Sequence, residues 1–581
     1  MRSTLFFLTA FFLASCSYTL EPNDFKTRYE ESDGLETATY DEAMLWWENI
    51  DKASPYLSIA NVGTTDAGEP LHLIVISPTK NFLPKKLHEK ERTIMLINNG
   101  IHPGESDGID ASMLFARDLL SDSDFESKYE NTVFLIIPIY NVGGALNRNC
   151  CTRANQNGPV EYGFRGNARN LDLNRDFIKC DSKNAKAFNG LFNQWNPDIY
   201  LETHVSNGAD YQYTMTYLFS HPDKLTPALS EFTKNDMIPS LVTSMKDADE
   251  EMIPYVNVFG TTPDSGYYSF YDSPRYSTGY TALHNSIGLL TETHMLKPYA
   301  QRVKATHTFI HQLAAFVNTN GKVIKNARTK ATEQTLAQNE FILDWEEDKE
   351  HFDMLSFNGY DAYYDTSAVT GLPQLYYDQS KPWTKDIKHY NRLKATKHVT
   401  APKHYLLPAG WSNAVKLMKL NEVEMTMLEK DTLMDVVAYE IEDYKTSETP
   451  YEGHYLHKNT QVARQNWSKQ IRANEYYLID VNQIKKRYII ETLEPTGPDA
   501  LFAWNFFDEI LQQKEWFSTY VFDKEAADML TNDAALKTAF EEMKKDSSFA
   551  QDRFKQLYYL YRNSDHYEDQ RHMIYPVLRA E

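Results

Sequence analysis

His102-Pro-Gly-Glu105 sets an imidazole and a carboxylate three residues apart, close enough to converge on one cation. The motif follows the apolar run Thr93-Ile-Met-Leu-Ile97, so it falls in the loop where a buried strand ends. A lone His-x-x-Glu arises often by chance; two further groups give this one weight. His204 follows Asp198-Ile-Tyr-Leu-Glu-Thr203, and Glu292 closes Ile287-Gly-Leu-Leu-Thr-Glu292, each at the end of another apolar run. Two His and one Glu as ligands, with a second Glu left free, are the donor set of a hydrolytic zinc site. Three protein ligands leave a position for water, whose pKa a bound zinc brings close to neutrality. One ambiguity remains: Glu202-Thr-His204 is echoed by Glu292-Thr-His294. These residues alone do not say which His binds metal and which Glu is free.

A second constellation is Asn170-Leu-Asp-Leu-Asn174-Arg175-Asp176-Phe177. Arg offers a planar fork that clamps a carboxylate through two parallel hydrogen bonds, and the neighbouring amide adds a donor. Alone, the segment reads as a salt-bridged turn. Beside a zinc site it reads as an anchor for the anionic end of a substrate.

The elements that must position these groups are visible as apolar runs alternating with helical patterns. Strands are expected at 58–62, 71–76, 93–98, 132–140, 198–203 and 287–292, the first two joined by the turn Asp66-Ala-Gly-Glu69. Helices are expected at 40–53, with Asp41 as cap, and at 107–120, 183–194, 225–235 and 298–318. Continuous apolar strands separated by helices imply an α/β sheet covered on both faces. Functional groups then gather on the loops after the strands, at one edge of that sheet. The polar, Lys/Thr/Gln-rich stretch from Gly321 to Glu340 marks a domain boundary. Beyond it, Leu433–Glu442 and Lys486–Thr492 read as strands, and 499–515, 524–530 and 533–545 as a helical tail.

The length of 581 residues accommodates two or more domains. A net charge of −22 argues against nucleic-acid binding and against electrostatic docking on anionic lipid. The N-terminus carries Arg2 and then the apolar stretch Leu5–Ala14. That stretch is shorter than the ~20 residues a spanning helix needs and reads as a secretory signal core. Leu13-Ala14-Ser15-Cys16 resembles a bacterial lipobox, in which the Cys is acylated and becomes the mature N-terminus; the plainer alternative is a signal peptide ending near a Cys. The expectation is an exported protein, lipid-anchored through Cys16 on the periplasmic or cell-surface side, touching membrane only through that anchor. Residues 17–39 are polar and read as a tether. In an exported chain, Cys150 or Cys151 can bridge to Cys180, leaving one thiol over.

His-x-x-Glu, a distant His, an Asn-Arg pair between them and a later Glu together resemble the zinc carboxypeptidase family, over about residues 40–320. The resemblance implies a mixed central sheet flanked by helices as a catalytic domain at 40–325, with 341–581 a smaller α+β extension. It implies one Zn²⁺ per chain on His102, Glu105 and His204. His204 is preferred over His294 because the family's third ligand follows the Asn-Arg pair and precedes the base. Asn174 and Arg175 match the pair that grips a terminal carboxylate, and Glu292 matches the general base. Arg153, in Thr152-Arg-Ala-Asn155, matches the Arg that polarises the scissile carbonyl, with Arg148 and Arg165 as rivals. Tyr276 matches the substrate-contacting Tyr, with Tyr271 and Tyr280 as alternatives. The implied activity is zinc-dependent hydrolysis of the last bond of a peptide with a free C-terminal carboxylate. Alternatives are an amide deacylase or cell-wall peptide amidase of the same superfamily, and a zinc-free surface binding protein. Residues 277–286, near the expected side-chain pocket, give no charge rule for the terminal residue.

Overall fold

A computed structural model describes residues 20–581. Cys16 and the apolar stretch before it lie outside the described residues. The chain divides into two units. The first runs to Ala337 and takes up the chain again from Trp345 to Lys394; the second holds Gln338–Asp344 and Ala395–Glu581.

The first unit is built on an eight-stranded sheet. In chain order its strands are β1 (Leu57–Thr64), β2 (Pro70–Ile76), β3 (Thr93–Asn98), β4 (Thr132–Ile137), β5 (Ile199–Ser206), β6 (Met215–Phe219) and β7 (Met252–Pro254). A separate short strand, β8 (Tyr267–Tyr268), precedes the last member, β9 (Ile287–His294). Across the sheet the order is β1-β2-β4-β3-β5-β9-β6-β7. The inner strands β4, β3, β5 and β9 are mutually parallel; β1 with β2, β2 with β4 and β6 with β9 are antiparallel pairs, and β7 joins the edge parallel to β6. The fold is therefore α/β with a mixed sheet, as the motifs implied. Every residue of β3, β4 and β5 is buried, which is why these strands read as unbroken apolar runs rather than alternating ones. The chain leaves β3 toward β4 on one side and later returns as β5 on the other. That reversal opens a crevice at the carboxyl ends of β3, β5 and β9.

Two helices brace that edge. The Asp107–Ser121 helix starts directly after Glu105, and its first residue, Asp107, is buried against Arg302 at 3.0 Å. Arg302, itself fully buried, also donates to the carbonyls of Asn157, Lys297 and Gly158. A guanidinium with this many partners holds a buried carboxylate without leaving either unpaired. Arg302 belongs to the 39-residue helix Tyr299–Ala337. This helix runs through the stretch expected to be a boundary. Gly321, Ile324, Ala327, Ala331 and Thr335 form a buried stripe at helical spacing within it. Gly321 is required by contact: a Cβ there would lie 2.4 Å from the Thr93 hydroxyl at the start of β3. The polar residues of the stretch have a task as well. Lys325 and Arg328 pair with buried Asp198, at 2.9 and 2.7 Å, at the foot of β5.

Other expectations need correction. Residues 20–39 are not a loose tether: Leu20, Thr27, Thr37 and Ala38 are buried, and Trp46 and Arg117 donate to the Phe25 carbonyl. The Tyr40–Ala53 helix is capped by Thr39, in a reciprocal box with Glu42, rather than by Asp41. Cys150 and Cys151 are bonded to each other, and Cys180 is a free, buried thiol. Residues 345–394 lie with the first unit. They form a long hairpin, Asp353–Thr366 with Pro373–Tyr390, whose last residues pair with β8. Its Phe357 and Ile387 complete an apolar cluster with Tyr211, Tyr213, Val256 and Tyr267.

The second unit contains a six-stranded antiparallel sheet dominated by the pair Thr432–Thr446 and His457–Ile471. Lys486–Thr492, expected as a strand, lies in the helix Lys486–Leu493, with Tyr488, Ile489, Ile490 and Leu493 buried. So short an apolar run carries no period that separates the two states. Residues 499–515 form turns with one 3₁₀ segment at Asp508–Leu511. The helices Thr519–Asn532 and Ala534–Met543 follow, and with Phe549, Leu557, Leu560 and Tyr561 they enclose a small core of their own. No helix among the described residues is long and apolar enough to cross a membrane.

Candidate metal centre and active site

His102 and Glu105 lie in the loop between β3 and the Asp107–Ser121 helix, and His204 near the end of β5. All three are buried, and each offers a ligand atom within 4.8 Å of the others. His102 Nδ1 stands 3.1 Å from Glu105 Oε1, and His204 Nδ1 2.9 Å from Glu105 Oε2. The outward-facing nitrogens are also engaged. His102 Nε2 donates to Asp172 at 3.0 Å, and His204 Nε2 to Glu202 at 2.9 Å. With Nε2–H committed in this way, a neutral ring turns its Nδ1 lone pair toward Glu105. Lone pairs from two rings then meet a carboxylate, an arrangement that only positive charge between them relieves. Protonation of the rings is one source and a divalent cation is the other. The donor set suits zinc, and the carboxylate behind each imidazole is the support that orients metal-binding His.

The electrostatics agree. Burial alone would raise the Glu105 carboxyl, but His102 and Arg153 hold it well below the usual carboxylate range. His204 is pushed up against the pull of burial by Glu105 and Glu202. Glu202 is likewise held low despite burial, chiefly by His204, with Tyr200 and Ser277 also donating to it.

Glu292 faces the cluster from the neighbouring strand. The β5/β9 register makes His204 and Glu292 direct partners, so their side chains leave the same face of the sheet. Burial pushes the Glu292 carboxyl up to about 8; Glu105 adds to this, while His204, Arg165 and Arg153 oppose it. Its Oε2 is shielded from solvent and has no hydrogen-bond partner among the described residues. An unsatisfied buried acceptor beside a metal-ligand cluster is a group held ready for a proton. A cation on the three ligands would lower its pKa, by the ordinary effect of a nearby positive charge.

The echo of Glu202-Thr-His204 in Glu292-Thr-His294 is thereby resolved. His294 lies outside the cluster, where its Nε2 meets Asp210 at 3.1 Å and the backbone N–H of Tyr211. Glu202 orients His204, and Glu292 is the carboxylate left over.

Asn174, Arg175, Tyr276 and Arg165 share one cavity with His102, Glu105, His204 and Glu292. Asn174 and Arg175 sit on a single 3₁₀ turn, Leu173–Arg175. Asp172 caps it by accepting from the Asn174 N–H at 2.9 Å. The same carboxylate supports His102 and takes two hydrogen bonds from Arg165, at 2.8 and 3.0 Å. Asp172 thus links the cluster to the turn that carries Asn174 and Arg175, a contact the sequence motif contained but did not announce. The Arg175 guanidinium lies 4.6 Å from the Tyr276 ring centre. Tyr271 instead lies near Lys224, and Tyr280 is fully buried among Phe177, Phe188 and Phe192. Arg153, expected at the scissile carbonyl, braces Glu105 at 2.7 Å from behind, in space left open by Gly104. It is Arg165 that lines the cavity. Arg148 donates to the carbonyls of Thr37, Ala38 and Glu161, away from the site.

Asp172→Ala removes the support of one ligand and the cap of the anchor turn together. The expected outcome is a ~10–100-fold loss of zinc affinity, the range found for such supporting groups, read by competition with a chromogenic chelator. Affinity unchanged from the parent protein would deny Asp172 this role.

No curated protein sequence matches the chain. Among solved structures, a metallo-carboxypeptidase from Burkholderia cenocepacia is 17% identical over 49% of this chain and 70% of its own, with a TM-score of 0.36. A metallo-carboxypeptidase from Pseudomonas aeruginosa, in complex with (2-guanidinoethylmercapto)succinic acid, is 11% identical over 48% and 68%, with a TM-score of 0.37. Carboxypeptidase A from Helicoverpa armigera is 13% identical over 51% and 74%, with a TM-score of 0.36. The zinc carboxypeptidase family model matches residues 44–329, a span that contains the ligand cluster, the anchor turn and Glu292. Over that span the chain belongs to the zinc carboxypeptidase family.

Proposed function

We propose that the first unit is a metallocarboxypeptidase that hydrolyses the last peptide bond of a substrate with a free C-terminal carboxylate. The observation that carries this reading is the sharing of one cavity by two kinds of chemistry. A His-Glu-His cluster with a free carboxylate faces an Asn-Arg pair suited to a carboxylate. Zinc bound on His102, Glu105 and His204 would supply a Lewis acid and lower the pKa of water. The remaining work falls to the chain's own side chains.

Arg175 grips the terminal carboxylate through its fork, and Asn174 adds an amide donor. Tyr276, stacked on Arg175, closes over the bound end. Fixing the chain end sets the last peptide bond beside Glu292 and removes much of the entropic part of the barrier. Glu292 accepts the proton of the attacking water and returns it to the amine nitrogen as the C–N bond breaks. Arg165 faces the carbonyl oxygen and stabilises the negative charge that develops there. Arg153 keeps Glu105 in place. The uncharged lining of the cavity includes Val205, Leu218, Tyr255, Phe270, Thr278 and Leu290, with Ser206 and Asn207 as further polar members. None of these carries charge, so the pocket suits a neutral, apolar terminal side chain.

Three outcomes test this reading. Glu292→Gln should retain zinc and lose turnover by at least ~100-fold, the lower range for a positioned acid–base group; normal turnover in the zinc-loaded variant would refute the assignment. Arg175→Ala should weaken free-carboxylate peptides far more than their C-terminal amides, and equal losses would remove the clamp. Across a series of benzoyl-glycyl dipeptides, those ending in Phe or Leu should exceed those ending in Arg or Glu in kcat/KM. A preference for a charged end would overturn the account of the pocket.

A further inference from the structure

A second group of metal-binding side chains lies away from the cavity, between the Asp107–Ser121 and Tyr299–Ala337 helices. His307 and His311 are four residues apart on one helix and therefore project from the same face. Asp118 meets them from the other helix. Its Oδ2 lies 2.9 Å from His307 Nε2 and 3.2 Å from His311 Nε2, and the two imidazole nitrogens are 3.2 Å apart.

Hydrogen bonds cannot satisfy this triangle. With Asp118 ionised, two Nε2–H groups can both donate to the carboxylate, and the nitrogens then face each other as two donors. With one Nε2–H, the unprotonated nitrogen faces the carboxylate as a second acceptor. Each choice leaves one repulsive side, whereas a cation at the centre satisfies all three. The size is also right. Ligand atoms ~2.0–2.1 Å from a tetrahedral zinc stand about 3.3–3.4 Å apart, close to the spacings here.

The surroundings favour a built site. Both backbones are helical, so binding orders little chain. The His311 ring is fixed edge-on against buried Phe115, with ring centres 5.0 Å apart. The two imidazoles hold the Asp118 carboxyl well below its ordinary range, although burial works the other way. The side chains are 25%, 32% and 38% exposed, which leaves a water-facing position for a fourth ligand.

We propose that Asp118, His307 and His311 form a second metal site for a divalent ion of zinc-like softness, which clamps the two helices together. Two imidazoles with one carboxylate favour Zn²⁺, Co²⁺, Ni²⁺ or Cu²⁺ over Mg²⁺ or Ca²⁺, which prefer all-oxygen ligands. An ion here fastens the helix that follows Glu105 to the helix that carries Arg302.

The test compares full-length protein with the double variant His307→Gln/His311→Gln. Both are stripped with chelator and titrated with Co²⁺ while visible absorbance is followed, and bound metal is then counted by mass spectrometry. The expected result is one equivalent fewer in the double variant, whatever the cavity cluster holds. That equivalent should also raise the thermal midpoint of the parent protein and leave the double variant's unchanged. Peptide hydrolysis by the zinc-loaded variant should match the parent. Equal stoichiometry in the two proteins overturns the proposal. Should the double variant fail to fold, Asp118→Asn, which preserves side-chain size, gives the same reading. Failure of the cavity assignment would show separately, as an unchanged metal count in His102→Ala, a variant that leaves Asp118, His307 and His311 intact.

Discussion

Glu105 is a carboxylate withdrawn from water, and the rest of the site follows from the need to compensate it. A buried negative charge persists only where cations and hydrogen bonds replace its hydration. Here the replacements come from three stretches of chain: His102 beside it, Arg153 behind it, and β5 across the crevice, which supplies His204 and the backbone N–H of Val205, a donor to Oε2. Each partner is held by a further group, so the constraint propagates outward. Glu202 fixes His204 and is itself held by Tyr200, Asn98 and Ser277. Asp172 fixes His102 and at the same time shapes the turn that presents Asn174 and Arg175. Any cation that occupies the cluster therefore enters a site whose side chains are already aimed, and the turn that carries Asn174 and Arg175 shares its geometry through a single carboxylate.

Strand register supplies the other half of that geometry. Parallel pairing of β5 with β9 puts His204 opposite Glu292 and leaves Glu202 two residues back on the same face. A one-residue slip would send Glu292 to the opposite face of the sheet. The register is secured at the edge by Asp107, which binds Arg302 and accepts from the Thr293 hydroxyl of β9. It is secured at the foot by Asp198, which accepts from the Ile94 N–H of β3 and pairs with Lys325 and Arg328. The long Tyr299–Ala337 helix thus clamps both ends of the strands that carry the site.

Much of this was legible in the sequence, where burial on both faces made the strands into continuous apolar runs. The run 93–98 and the helix 40–53 match the structure's own limits, and the residues that end β5 and β9 meet in space. What stayed hidden depended on contacts distant in sequence. The residues of the Glu-Thr-His echo did not divide it by themselves; the resemblance preferred His204, and the contacts that draw His294 away, to Asp210 and Tyr211, lie far along the chain. The choice among Arg148, Arg153 and Arg165 rests on where Gly104 and Asp172 leave room for a guanidinium. Residues 321–337 concealed a helical stripe because its buried members are Gly, Ala and Thr as well as Ile, while their polar neighbours carry the charges that pin Asp198. Cys150 and Cys151 find each other because they are adjacent, and Cys180 is sealed in the core.

The hairpin at 353–390 shows why a boundary drawn from composition misplaces part of the first unit. Its strands are polar and largely exposed, so they resemble an appendage. Yet Phe357 is fully buried beside Tyr211 and Tyr213, and Gln212 donates to the carbonyls of Gly359 and Trp383. Gln379 donates to Asp210, the residue that also holds His294. His294 stands two residues after Glu292 on β9. The hairpin is therefore coupled through one carboxylate to the strand that carries the free Glu. Without it, Tyr211 and Tyr213 would lose their apolar cover, and Asp210 would face its His with one partner fewer. The sheet edge that bears the site is completed by chain that follows the Tyr299–Ala337 helix, so the cavity depends on residues beyond the segment that supplies its ligands.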